Sequence, residues 1–172
     1  MAELTSSERL QPSLLDRLTD DAREQTQEPR DQRVLSMRSL RKAVLRDLGW
    51  LLNSTSLGSV QDLTAYPLAT RSVLNFGLPD LSGKTAAGLD PVELGRRIRQ
   101  AIEDFEPRIL RDSVRVTPLP QGGAHASPNQ VAFEIHGELW GQPLPERLYL
   151  KTELDLEAGD VKLYDIESGG SR

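Results

Sequence analysis

The sequence contains no cysteine, which excludes disulfides, a thiolate nucleophile and a cysteine-based zinc site. Its longest apolar runs are only a few residues, too short for a membrane-spanning helix, and residues 1–8 have neither a basic start nor an apolar export core. A soluble cytoplasmic protein with no direct membrane insertion is the expectation. Excess positive charge is also missing: 21 basic residues stand against 26 acidic ones, a net charge of −5, which argues against nucleic acid as a partner. The two histidines, His125 and His136, lack zinc-ligand spacing and read as exposed side chains. Neither a nucleophile elbow nor a dinucleotide fingerprint occurs. Gly83-Lys84-Thr85 ends like a phosphate loop but follows Leu78-Pro79-Asp80-Leu81-Ser82, which puts proline where main-chain donors are needed. No catalytic residue, cofactor or metal is expected.

The 172 residues fit one ordinary domain with a tail. Residues 1–33 are polar and too poor in apolar groups to fold alone. Within them, Pro12 suits a first helical position, and Leu14, Leu15 and Leu18 share a face as a short amphipathic anchor. That anchor either tucks onto its own domain or orders on a partner. Residues 34–167 carry the folded pattern, and 168–172 read as a disordered terminus.

From Val34 to Asn53, Met37, Leu40, Val44, Leu48 and Leu51 recur at helical spacing, while Arg38, Arg41, Lys42 and Arg46 fall mostly on the opposite, basic face. That face is either solvated or a partner site. Residues 59–90 hold turn signals but little periodicity; Val73, Leu74, Phe76 and Leu81 suggest that the stretch packs onto the domain. A second helix starts at Asp90, with Pro91 in its first turn and Glu93 placed for a capping box. Its apolar face is Leu94, Ile98, Ala101, Ile102 and Phe105. A short strand at 114–116 and two longer ones follow. Val131, Phe133, Ile135 and Leu139 alternate with polar residues, as do Leu148, Leu150, Leu154 and Leu156, before a last strand over 161–166. One apolar face per strand predicts an α+β fold: an antiparallel sheet covered on one face by two main helices, with a flexible N-terminal tail. Charge is uneven, +3 over residues 34–58 and −6 over 129–167, which suits oriented packing against charged neighbours.

The second helix runs into Glu106-Pro107-Arg108, where proline ends or kinks it. Glu106 and Arg108 sit on a stiff corner. They can face outward together, toward complementary charges on a partner, or form a solvated helix end. The same tripeptide at Glu28-Pro29-Arg30 lies in no periodic context, so the letters alone decide nothing. A glycosidase would need two carboxylates across a cleft, and Glu106 with Glu134 is one pairing among dozens.

Four ordered blocks carry a resemblance. They are Pro12-Ser13-Leu14-Leu15-Asp16-Arg17-Leu18, Leu45-Arg46-Asp47-Leu48-Gly49-Trp50-Leu51-Leu52-Asn53, Ser72-Val73-Leu74-Asn75-Phe76-Gly77-Leu78-Pro79-Asp80-Leu81 and Phe105-Glu106-Pro107-Arg108. Together they resemble the TssE family of type VI secretion baseplate subunits, which is grouped with the baseplate wedge proteins of contractile-tailed phages and often labelled "lysozyme-like". The resemblance implies a non-catalytic structural subunit. Glu106, Pro107 and Arg108 match the motif that docks the family on the wedge subunits TssF and TssG, and the sheet is implied to template the first ring of the TssB/TssC contractile sheath. It also implies a cytoplasmic assembly docked to an inner-membrane complex. A peptidoglycan-cleaving glycosidase is the alternative that the family label suggests.

Overall fold

Apolar alternation in the last third of the chain organises the molecule, a computed structural model that describes residues 13–18, 37–81, 83, 88–120, 129–140 and 145–166. Strands β1 (Arg115–Pro118), β2 (Gln130–Leu139), β3 (Glu146–Asp155) and β4 (Asp160–Asp165) form one antiparallel sheet in sequential order. In β2, Val131, Phe133, Ile135 and Leu139 are buried, and across from them lie Leu148, Leu150 and Leu154 of β3. The register pairs Ile135 with Leu150 and Val131 with Leu154. Glu134, His136, Tyr149 and Lys151 occupy the other face, so the sheet is apolar on one side only. Gly159, at φ +66°, supplies the left-handed residue of the β3–β4 turn.

The helices among the described residues are α1 (Leu14–Leu18), α2 (Met37–Leu52), α3 (Pro67–Thr70) and α4 (Pro91–Phe105). The two long ones, α2 and α4, bury Leu40, Val44, Leu48, Leu51, Leu94, Ile98 and Ile102 in one cluster with the inner sheet face. Asp90 caps α4 by accepting the Val92 N–H at 2.9 Å. Glu93 does not complete a capping box; it pairs along the helix surface with Arg96 and Arg97, because two cations one turn ahead compete for its carboxylate.

Between the long helices, residues 57–59 and 73–75 are single 3₁₀ turns. Leu78 is buried and Phe76 meets Phe105 edge-on with centroids 5.4 Å apart, so part of this stretch packs as expected. Val73 and Leu74 do not: they stand 81% and 68% exposed. The turn is fixed by polar groups instead. Asn75 turns inward, accepting the Gly58 N–H and donating to the Thr70 carbonyl, both at 2.8 Å, which leaves Val73 and Leu74 outside. A short parallel bridge joins Thr55 and Leu78. It requires glycine at position 77, where φ is +122° and a Cβ would lie 2.3 Å from the Ser54 carbonyl oxygen.

On the basic face of α2, Arg38 and Lys42 are exposed, whereas Arg41 is drawn into the fold. Arg41 donates to both oxygens of Asp165 at 2.7 Å, to Glu146 at 3.0 Å and to the Arg147 carbonyl at 2.9 Å. Part of the charge asymmetry between the two ends of the chain is therefore neutralised within the fold. Pro12, the Glu28-Pro29-Arg30 tripeptide, His125 and residues 168–172 lie outside the described residues.

Candidate docking site

Helix α4 stops because Pro107 has no N–H to continue it. Glu106 becomes the C-cap residue, its own N–H donating to the Ile102 carbonyl at 2.9 Å. The chain is then pinned beside β2: Leu110 N–H donates to the Glu138 carbonyl at 2.8 Å, Trp140 N–H to the Arg108 carbonyl at 2.7 Å, and Ile109 bridges Leu139. Burial of Ile109 closes the corner against the core.

Glu106 and Arg108 do not point outward together. Glu106 is 3% exposed, and its Oε1 accepts both the Arg108 main-chain N–H at 3.1 Å and the Arg108 Nε–H at 2.7 Å. Arg108 Nη2 donates to Glu106 Oε2 and also to Asp47 Oδ2 at 2.6 Å. Of the three residues, Pro107 alone is exposed. The physical reason is the kink itself: with the helix ended, the shortest route for a carboxylate two residues from a guanidinium is back onto it in a bidentate pair.

The sequence did not single out Asp47. It lies three residues after Val44 and four before Leu51, on the edge of the buried α2 stripe, where an apolar residue is usual. A carboxylate in that slot was the available signal. From Asp47 the chain of ion pairs continues: Oδ1 accepts from Arg46 Nε at 2.8 Å, Arg46 Nη1 donates to Asp16 Oδ1 at 2.7 Å, and Ser13 Oγ donates to Asp16 Oδ2 at 2.6 Å. Arg46 also lies over the Trp50 ring, 5.1 Å from its centroid. Two arginines and three carboxylates are thus linked in one network with a formal charge of −1.

Burial alone would lower the basicity of Arg108, but its bonds to Glu106 and Asp47 outweigh it and raise its pKa. The Asp47 bond likewise raises Arg46, against burial and with help from Asp16. For Asp16, burial pushes upward, yet the Ser13 hydroxyl and Arg46 bring the net shift below the ordinary carboxylate value.

Leu14, Leu15 and Leu18 lie on α1, exposed to 72%, 42% and 73%. The ion pair that ties α1 to α2 is made by Asp16, on a different side from these leucines. Glu134 sits on the outer face of β2, 3.5 Å from His136, whereas Glu106 is sealed at the helix side; the two carboxylates share no cleft. Among the described residues, no three His, Cys, Asp or Glu side chains converge as a metal-ligand set, and no helix is long and apolar enough to cross a membrane.

The model of one protein family, described as baseplate wedge protein gp25, matches residues 38–144. That span includes α2, the turn region, α4, the corner and β2, and the chain belongs to this family. Membership gives it a structural role among baseplate components. No curated protein and no solved structure matches the chain.

Proposed function

We propose that the chain is a non-catalytic subunit of a type VI secretion baseplate, docked on the wedge subunits TssF and TssG through Glu106, Pro107 and Arg108, with Leu14, Leu15 and Leu18 as a second contact. The observation that carries this reading is the corner: Pro107 is held outside on a turn whose flanking charges are locked to each other and to Asp47. A preformed surface of this kind is ordered before the partner arrives, so less conformational freedom is lost on docking. The complex sits in the cytoplasm against an inner-membrane assembly.

In the same reading the sheet starts the first TssB/TssC sheath ring by strand addition. Edge β1 is short, contains Pro118 and runs close to α4 at Gly95. Edge β4 is partly guarded: the Asn53 amide accepts the Val161 N–H at 2.8 Å and donates to its carbonyl at 2.9 Å, imitating a neighbouring strand. Alternation in an antiparallel ladder turns the main-chain groups of Leu163 and Asp165 the same way as those of Val161. Strand addition is therefore assigned to β4 from Leu163 onward.

The test is capture of TssF and TssG by the full chain, compared with a Pro107→Ser variant. Substitution at this exposed residue is expected to leave folding intact and to weaken capture; undiminished capture would count against the corner as the docking point. Turbidity of purified cell walls is expected to stay constant on adding the protein.

A further inference from the structure

Residues 57–79 contain one cation, Arg71, and one anion, Asp62, yet they present Val60, Tyr66, Leu68, Val73 and Leu74 to solvent. Single exposed apolar side chains are ordinary; five large ones within so short a stretch of chain mark a surface that another molecule covers. The backbone beneath them is tied together. The Asn75 side chain joins Gly58 to Thr70, and the Ser72 N–H donates to the Ala69 carbonyl at 3.1 Å, so both 3₁₀ turns and α3 form one hydrogen-bonded platform. Leu68, Val73 and Leu74, the first of them 89% exposed, are held out on it before any partner arrives.

The platform is fastened to α4 beside the docking corner. Asp104 Oδ1 accepts from Arg71 Nη2 at 2.9 Å and from Arg111 Nη2 at 3.2 Å, so one carboxylate holds both the turn region and the chain that leaves the corner. On the next residue of α4, Phe105 meets Phe76. Pro107 follows Phe105 by two positions, and Val73 and Leu74 precede Phe76 by three and two. The apolar turns and the corner therefore share the C-terminal end of α4.

Charge limits what covers the platform. Arg71 is engaged by Asp104, and Asp62 is turned back onto the Thr64 N–H at 2.9 Å. No other cation within 57–79 is present to meet lipid phosphate, which weighs against an anionic membrane surface. A charged protein surface would lose hydration here without gaining a countercharge. An uncharged apolar face of a protein has no such cost.

We infer that Leu68, Val73 and Leu74 form a further docking surface, covered by an uncharged apolar face of the wedge partner that meets Pro107. The inference rests on the wedge-docking reading and extends that contact along the end of α4. Arg71 and Asp104 are positioning residues that hold the platform beside the corner.

Calorimetric titration of the full chain with TssF and TssG, at low and high salt, tests it. Val73→Ser with Leu74→Ser is expected to weaken binding roughly tenfold or more, because two apolar side chains no longer leave water, while the melting temperature stays unchanged. Leu68→Ser is expected to weaken it as well. Val73→Ile with Leu74→Met keeps the surface apolar and is expected to lose far less. The losses are expected to be equal at both salt concentrations, since no charge pair forms. Native affinity in the double serine variant overturns the inference, as does a loss that fades at high salt or that the conservative variant matches. Binding of the free chain to anionic vesicles, or its dimerisation, also overturns it if the double serine variant abolishes either. Weakening by Pro107→Ser alone leaves the corner and removes the turn surface; if Pro107→Ser binds normally while the double serine variant weakens, the corner reading fails separately.

Discussion

Two regions of the molecule reverse the usual distribution of polar and apolar groups in opposite directions. At the corner, charged groups are drawn in: Glu106 is buried, and every carboxylate in its network meets an arginine. In the turn region between α2 and α4, large apolar side chains are turned out, with Val60, Tyr66, Leu68, Val73 and Leu74 all more than half exposed. The corner is held by main-chain bonds to β2 and by side-chain charge pairs, one of which joins Arg108 to Asp47 on α2. The turn region is anchored by Leu78 and Phe76, but main-chain and amide hydrogen bonds leave these five apolar side chains outside the core. Stability should therefore depend on polar identity at the corner and hardly at all on the identity of these exposed apolar side chains.

The largest expected effect is at Glu106. Glu106→Ala leaves the Arg108 guanidinium with Asp47 alone, and breaking a buried charge pair costs about 4 kcal/mol in unfolding free energy, readable by urea titration. Next is Gly77→Ala, where a positive φ and the overlap with Ser54 should together cost about 3 kcal/mol and disturb the Thr55–Leu78 bridge. Val73→Ser with Leu74→Ser sharpens the contrast from the other side: the pair should change stability by less than about 0.5 kcal/mol per site, because neither side chain is buried. A large loss there would place these residues in the core and break the comparison.

The smallest effect concerns pH. The folded-state pKa of Asp16 is lowered, so the stabilisation that its bonds give α1 is fully present above the ordinary carboxylate pKa and is lost as pH falls through the lowered value. Carboxyl NMR shifts of Asp16 should therefore titrate below those of an unpaired aspartate, and Arg46→Gln should move the midpoint upward.

Much of the fold was legible because its signals are local. The alternation of Val131, Phe133 and Ile135 and the cap at Asp90 need only neighbouring residues to be read, and the antiparallel sheet with two long helices follows from them. The site was less legible. Pro107 showed where α4 ends, but the partner of Arg108 is 61 positions away on α2, and that of Arg41 is 124 positions away on β4. Periodicity gives the face of a helix on which a residue lies, not which element will cover that face. Val73 and Leu74 depart from expectation for a related reason: their hydrophobicity favours burial, whereas Asn75 sets the orientation of the turn by bonding inward.

The most direct test of the account is the dissociation constant of the TssF and TssG wedge subunits for Arg108→Lys, measured by calorimetry with the fold checked by thermal melting. Lysine keeps the positive charge beside Glu106 but cannot reproduce the fork that reaches both Glu106 and Asp47. The account predicts a folded variant whose wedge binding is weakened, because the corner loses bonds that hold it in its docking geometry before the partner arrives. A folded variant that binds the wedge subunits as tightly as the native chain would contradict it.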